Sequence, residues 1–203
     1  EPIPDTATPF AGICLMGGTV SVNDPLPWIE RSCALIREAV TTNTPVIGHC
    51  LGGQLMSKAL GGTVEKNPVK EIGWGTLVAE QNGETRHWLN SDTEISKPLT
   101  VFHWHGETFS LPPGATRLLT GQFCANQMFA LGPHLGMQCH VEMNETMIVD
   151  WLRGWSNEAG GLPSLPPSIQ TPDEIRQQLA ERLPAMRRLA DRLYSAWIRA
   201  LRD

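Results

Sequence analysis

A chain of 203 residues, 41% apolar and 18% charged, has the size of one domain and enough apolar side chains for a core, which excludes a disordered tail or linker. Its net charge of −5 argues against a large nucleic-acid footprint. No run approaches the roughly 18 consecutive apolar residues that would span a bilayer. The chain opens on Glu1 and a proline-rich stretch, Pro2, Pro4 and Pro9, with no signal-peptide pattern. Ala11 to Met16 is a short apolar run ending at Gly17-Gly18, which predicts a buried strand running into a loop. Asp24, Pro25 and Pro27 predict a helix start, and Ile29, Cys33, Ile36 and Val40 repeat at helical spacing behind it. Pro45 to His49 reads as a second strand, and Leu51 to Leu60 as a helix stopped by Gly61-Gly62. This alternation predicts an α/β fold with a parallel sheet.

The middle is richer in strand signals, at Glu71 to Glu80, Leu99 to His103, Thr116 to Thr120, Gln127 to Leu131 and Gly136 to Val141. A helix is expected over Asn144 to Trp155, then a Gly/Pro/Ser-rich link from Gly160 to Ser168. Thr171-Pro172-Asp173-Glu174 has the form of a capping box with proline at the first helical position. Ile175, Leu179 and Leu183, then Leu189, Leu193, Trp197 and Leu201, share one face, with a break expected at Pro184. This segment suits a docking helix on the domain or in a homodimer. The five cysteines, Cys14, Cys33, Cys50, Cys124 and Cys139, show no CxxC spacing. They fit the reduced thiols of a cytoplasmic protein better than a disulfide framework or zinc ribbon.

One cysteine stands apart. Gly48-His49-Cys50-Leu51-Gly52 joins a predicted strand to a predicted helix. A nucleophile on such a sharp turn needs small residues two before and two after it, and Gly48 and Gly52 supply them. The turn would project the sulfur from the sheet, set it at a helix N-terminus whose dipole favours negative charge, and aim the Leu51 N–H at a developing oxyanion. A lone GxCxG is compatible with a merely buried cysteine. The flanking elements and Gly53-Gln54 favour the nucleophile.

A thiol nucleophile needs a histidine base and usually a carboxylate that orients it. Of the six histidines, His140 is followed two residues later by Glu142, and alternate residues of an extended segment face one side. His103-Trp104-His105 has the same spacing and the form of half a metal site, but no third or fourth ligand stands at a recognisable spacing. The expectation is therefore no metal. Among the seven tryptophans, Trp104 is placed near substrate, whereas Trp151, Trp155 and Trp197 occupy helix positions that pack. Asp24 and Glu107 are further candidates for the pocket edge.

Gly48-His49-Cys50-Leu51-Gly52-Gly53-Gln54, His105-Gly106-Glu107 and Gln138-Cys139-His140-Val141-Glu142, in that order, resemble the three signature blocks of class I glutamine amidotransferases. The resemblance covers roughly residues 10–155 and is nearest to stand-alone proteins similar to the amidotransferase domain of GMP synthase. Met16 to Asp24 is similar to that subgroup's Gly-Gly-Pro-Met-Ser-Val-Asn-Asp loop, with Thr19 where proline is usual. The resemblance implies a flavodoxin-like, doubly wound, mostly parallel sheet with flanking helices, lacking its N-terminal strand–helix–strand, and a C-terminal helical extension. It divides the chain into an amidotransferase-like domain at 1–158, a linker at 159–170 and an extension at 171–203. One βαβ unit, about 40 further N-terminal residues, is expected in the natural protein.

For the site, the resemblance implies Cys50 as nucleophile, His140 as general base and acid, and Glu142 as its orienter. Leu51 and Gly18 would supply the oxyanion-hole N–H groups. Gln54 and the backbone around His105 and Gly106 would help hold the glutamyl portion, with no cofactor. No pyrophosphatase loop of the Ser-Gly-Gly-x-Asp-Ser type and no P-loop is present, so ammonia transfer would require a separate synthetase subunit. Three functions are carried forward: glutamine hydrolysis supplying ammonia, stand-alone γ-glutamyl hydrolysis, and a binding module of the same fold without turnover.

Overall fold

The computed structural model describes residues 3–90, 95–159 and 164–201. β1 (Ile13–Leu15) leads through a glycine-containing loop to α1 (Pro27–Thr41), and β2 (Val46–His49) runs directly into α2 (Leu51–Ala59). β3 (Val64–Ala79), α3 (Gly83–Leu89), β4 (Leu99–Phe109), β5 (Thr116–Thr120), β6 (Met128–Leu131) and β7 (His134–Met137) follow. The chain then forms α4 (Glu145–Trp151), a 3-10 turn over Leu152–Gly154, α5 (Trp155–Ala159), α6 (Pro172–Gln177) and α7 (Leu179–Ile198).

The strands make one seven-stranded sheet in the order β1-β2-β7-β6-β5-β3-β4. The α/β architecture is as expected, but the sheet is mixed and not mostly parallel. β2 is parallel to both β1 and β7, while the other pairings among the described strands are antiparallel. Connection length explains this. Parallel neighbours need a long crossover, whereas β6 and β7 are joined by Gly132-Pro133 alone, with Gly132 at φ +56.

Both faces of the sheet are covered. On β2, Val46 packs with α1 and α2, while its neighbour Ile47 packs with the cluster that includes Leu189 and Leu193 of α7. Phe129, against Met128 and Ala130, divides β6 in the same way. α1 buries Ile29, Cys33 and Ile36 as the periodicity predicts, with Val40 half-buried. Its N-cap is Leu26, not Asp24, whose carboxylate instead accepts the Ser21 N–H at 3.0 Å. Pro27 holds the first helical position as expected.

Two predicted strands are longer than their sequence signals. β3 and β4 pair from Leu77↔Leu99 to Val64↔Phe109, with the register shifting between Lys66 and Glu71. Asn67, Pro68, Val69 and Lys70 fall in that shift, where Pro68 has no N–H for a ladder. At the C-terminal end, the capping box of Thr171 and Glu174 is present. The helix interruption falls at Gln178 and not at Pro184, which lies inside α7. The proline ring meets the carbonyl of Ala180, so the interruption at Gln178, whose N–H bonds back to Ile175 O, is not the ring's doing. The Gly/Pro/Ser-rich link lies outside the described residues over 160–163. Its later part is paired to β3, with Ile72 N–H donating to Ser168 O and Gln170 N–H donating to Ile72 O, both at 2.9 Å. None of the described helices is long and apolar enough to cross a membrane.

Candidate active site

β2 ends at His49 and α2 begins at Leu51, so Cys50 alone makes the turn. It sits at φ +49 and ψ −105, a conformation that a residue with a side chain adopts only under constraint. The surrounding backbones supply the constraint. A Cβ on Gly48 would lie 2.5 Å from the carbonyl carbon of Gly52. One on Gly52 would lie 2.3 Å from Leu15 O, and one on Gly53 would lie 2.2 Å from Met137 O. The two glycines required by the sequence argument are joined by a third, and together they let β1, β2, β7 and α2 close around the cysteine.

The strand expected over Gly136 to Val141 stops at Met137. His140 instead forms a single antiparallel bridge to β4, donating its N–H to Phe102 O at 2.8 Å and accepting the Phe102 N–H at 3.0 Å. Its Nδ1 lies 2.5 Å from Glu142 Oε1, and Glu142 Oε2 accepts the Val141 N–H at 2.9 Å. Burial opposes charge on both side chains, but each is the other's counter-ion. The carboxylate, with a further contribution from Cys50, lifts His140 well above the usual imidazole range. His140 in turn holds Glu142 well below the usual carboxylate range. The other ring nitrogen, Nε2, is buried without a hydrogen-bond partner. From the point where a Gly17 Cβ would stand, His140 Cε1 is 3.2 Å away and Cys50 Cβ 3.6 Å. Histidine and cysteine thus both border Gly17, where a side chain would press against the imidazole.

The next glycine, Gly18, lies against Leu51, since a Cβ there would meet Leu51 Cδ2 at 2.6 Å. Gln54 is buried, and its Nε2 donates to Gln138 Oε1 at 3.1 Å. Gln138 Nε2 then donates to Cys50 Sγ at 3.6 Å. Gln138 was not singled out from sequence; its one signal was its place in the block that carries His140.

Two cavities meet at Cys50. The first, of about 540 Å³, is bordered by Gly18, Gln54, Trp104, His105 and Gly106 and carries charges of both signs, Lys66 and Lys70 with Glu107 and Glu158. The residues of the β3 register shift form part of its rim. The second, of about 420 Å³, contains His140, Trp104 and Trp151. Trp104 walls both cavities. Trp151, expected only to pack, stands edge-on to His140 at 5.0 Å and to Trp104 at 5.8 Å. Asp24 lines neither cavity. Glu107 does, and accepts the Ser21 hydroxyl at 2.8 Å.

The His105 ring is turned from the first cavity and buried against Glu71, with Nε2 3.1 Å from Oε2. His103 Nε2 lies 3.7 Å from Glu71 Oε1. The expectation that His103 and His105 lack a third potential ligand is therefore corrected. Glu71 comes from the antiparallel neighbour, a proximity that linear spacing does not reveal.

The family model for glutamine amidotransferase class-I matches residues 2–148. The chain is 36% identical to a glutamine amidotransferase-like protein, YfeJ, of Salmonella typhimurium, over 70% of this chain and 61% of that one. It is 23% identical to gamma-glutamyl peptidase 3 of Arabidopsis thaliana, over 70% of this chain and 58% of that one. The chain thus spans about three fifths of the length of these two curated relatives. A crystal structure of a glutamine amido transferase from Methylobacillus flagellatus superposes with a TM-score of 0.92 at 40% identity, over 100% of this chain and 81% of that one.

Proposed function

The chain belongs to the class I glutamine amidotransferase family, and on that footing we propose that it hydrolyses a γ-glutamyl amide at Cys50. The observation that carries this reading is a cysteine held at φ +49 across Gly17 from a His140–Glu142 pair. Cys50 Sγ attacks the γ-carbonyl carbon with its proton already passed to His140 Nε2, the imidazolium form that Glu142 favours. Glu142 accepts from Nδ1–H, holds the ring in place and balances its charge. The oxyanion is received by the N–H groups of Leu51 and Gly18. Collapse breaks the C–N bond, the amine leaves with the proton from His140, and a water deprotonated by His140 hydrolyses the glutamyl thioester. Lys66 and Glu107 give the first cavity both signs of charge, as the α-amino and α-carboxyl groups of a free glutamyl unit require, while Lys70 and Glu158 pair with one another at 2.8 Å. Gln54 acts at one remove, by holding Gln138 against the sulfur.

The second cavity favours a particular version of this chemistry. His140, the group that protonates the departing amine, lies in it with two indoles. Ammonia does not need such a space, whereas the apolar body of a γ-glutamyl arylamide or peptide does. This favours a stand-alone γ-glutamyl hydrolase over delivery of ammonia to a separate synthetase subunit. The test is glutamate release from glutamine and from γ-glutamyl anilide. Higher kcat/KM for the anilide is expected, and Cys50→Ala abolishes both activities. Turnover of glutamine alone would return the ammonia-supplying reading. No turnover of either, with no labelling of Cys50 by a glutamine-like electrophile, would leave a binding module.

A further inference from the structure

We propose that Glu71, His103 and His105 form a binding site for one divalent transition-metal ion of the zinc class, set behind the wall of the first cavity. The strand register builds it. Glu71 pairs with His105, and Gly73 with His103, across β3 and β4. Residues two apart on a strand face one side, so both imidazoles project on the face opposite Trp104. Glycines on β3 make room for them. A Cβ on Gly75 would lie 2.1 Å from His103 Nε2.

The three side chains are almost wholly buried, at 5% exposure or less, and their donor atoms lie within 4.8 Å of one another. Ligands at about 2.0–2.2 Å from one ion stand roughly 3–4 Å apart. The two measured separations from Glu71, 3.1 and 3.7 Å, are in that range.

The protons make the stronger argument. His105 Nδ1 lies 2.9 Å from Glu107 O, and a carbonyl oxygen only accepts, so Nδ1 carries a proton. In a neutral ring, Nε2 is then a bare lone pair, and it faces a carboxylate oxygen at 3.1 Å. Two buried acceptors in contact need a proton or a cation between them. A fixed Nδ1–H···O=C bond is also what orients a metal-binding imidazole. Gln127 Nε2 donates to Glu71 Oε2 at 2.8 Å and fixes the carboxylate.

Unsatisfied polar atoms concentrate here. Of the eight buried side-chain nitrogen and oxygen atoms without hydrogen-bond partners among the described residues, His103 Nδ1, His105 Nε2, Gln127 Oε1 and Ser168 Oγ belong to this cluster or its cavity. That cavity, about 190 Å³ and lined by Glu71, His103 and Ser168, gives an ion a route in and space for water as a further ligand. Two imidazoles and a carboxylate suit Zn²⁺, Fe²⁺ or Co²⁺ better than Ca²⁺ or Mg²⁺. An ion there ties β3 to β4 directly after the register shift that shapes the first cavity, and so braces Trp104 to Gly106 from behind.

The experiment uses the full chain carrying Cys50→Ala, which removes the other plausible zinc ligand, the nucleophile thiol. Chelator-treated protein is titrated with ZnCl₂, and bound zinc is counted after desalting and followed by thermal melts. One zinc per chain is expected, with a Tm that rises with zinc concentration. Adding His103→Gln, or separately Glu71→Gln, should weaken binding by at least about tenfold. The cobalt derivative should show d–d bands without a thiolate charge-transfer band. No zinc retained by the Cys50→Ala protein would overturn the proposal and leave a proton shared between His105 and Glu71. Undiminished binding in the His103→Gln protein, or a thiolate band, would overturn it by placing the ion elsewhere.

Discussion

Glu142 makes no contact with the reacting sulfur in the proposed mechanism, yet it sets the charge state of the group that does. Burial alone would drive His140 neutral, and it is the carboxylate at 2.5 Å that reverses this. Glu142→Gln keeps the size and one acceptor but removes the charge. Turnover is expected to fall about 10²- to 10⁴-fold with little change in KM, measured by steady-state release of glutamate. An unchanged kcat would show that His140 needs no orienter. The three residues of this set were legible in the sequence because each carries a local mark: glycines at ±2 around Cys50, and a spacing of two between His140 and Glu142. Gln138, Trp151 and Glu71 carry no such mark. Each reaches the site or its rear wall through a neighbour distant in sequence, a relation visible only once strands pair and helices dock.

The same division holds among the elements. Thr116–Thr120 was legible to the residue, and the Thr171 capping box to the atom, because turns, caps and periodicity are local signals. Helix α3, seven residues long and capped by the Asn82 side chain, was missed, being too short to display a period. β3 and β4 ran past their apolar stretches because their ends are held by pairing with one another, not by their own residues. Docking of the last helix was expected, but not what it touches. Tyr194 of α7 places its hydroxyl 2.9 Å from Nε2 of His49, the residue before the nucleophile. Tyr194→Phe leaves that nitrogen buried without a partner. A loss of about 1–3 kcal/mol is expected in urea unfolding at constant m value. An unchanged midpoint would mean that the contact is replaced by water.

At the scale of the whole molecule, buried neutral histidines make stability depend on pH. His134 accepts the Val46 N–H at its Nδ1, 3.2 Å away, across the parallel pair β2 and β7. Burial lowers it from 6.5 to about 4. Between these values the unfolded chain takes up a proton that the folded chain refuses. Stability is therefore whole above about pH 6.5 and is lost as pH falls toward 4. His49 and His103 are shifted by burial in the same direction. Melting curves should show Tm dropping from pH 7.5 to pH 5, and His134→Gln should show a smaller drop over that interval. An equal drop in the variant would assign the effect to other groups. The pairing of Trp104 and Trp151 around His140 has an optical consequence. Imidazolium rings quench indole emission, so any molecule that enters the second cavity, or any proton that leaves His140, alters the light from these two tryptophans. The protein thus carries an intrinsic fluorescent reporter at the proposed reaction centre, and ligand screening can proceed without a label.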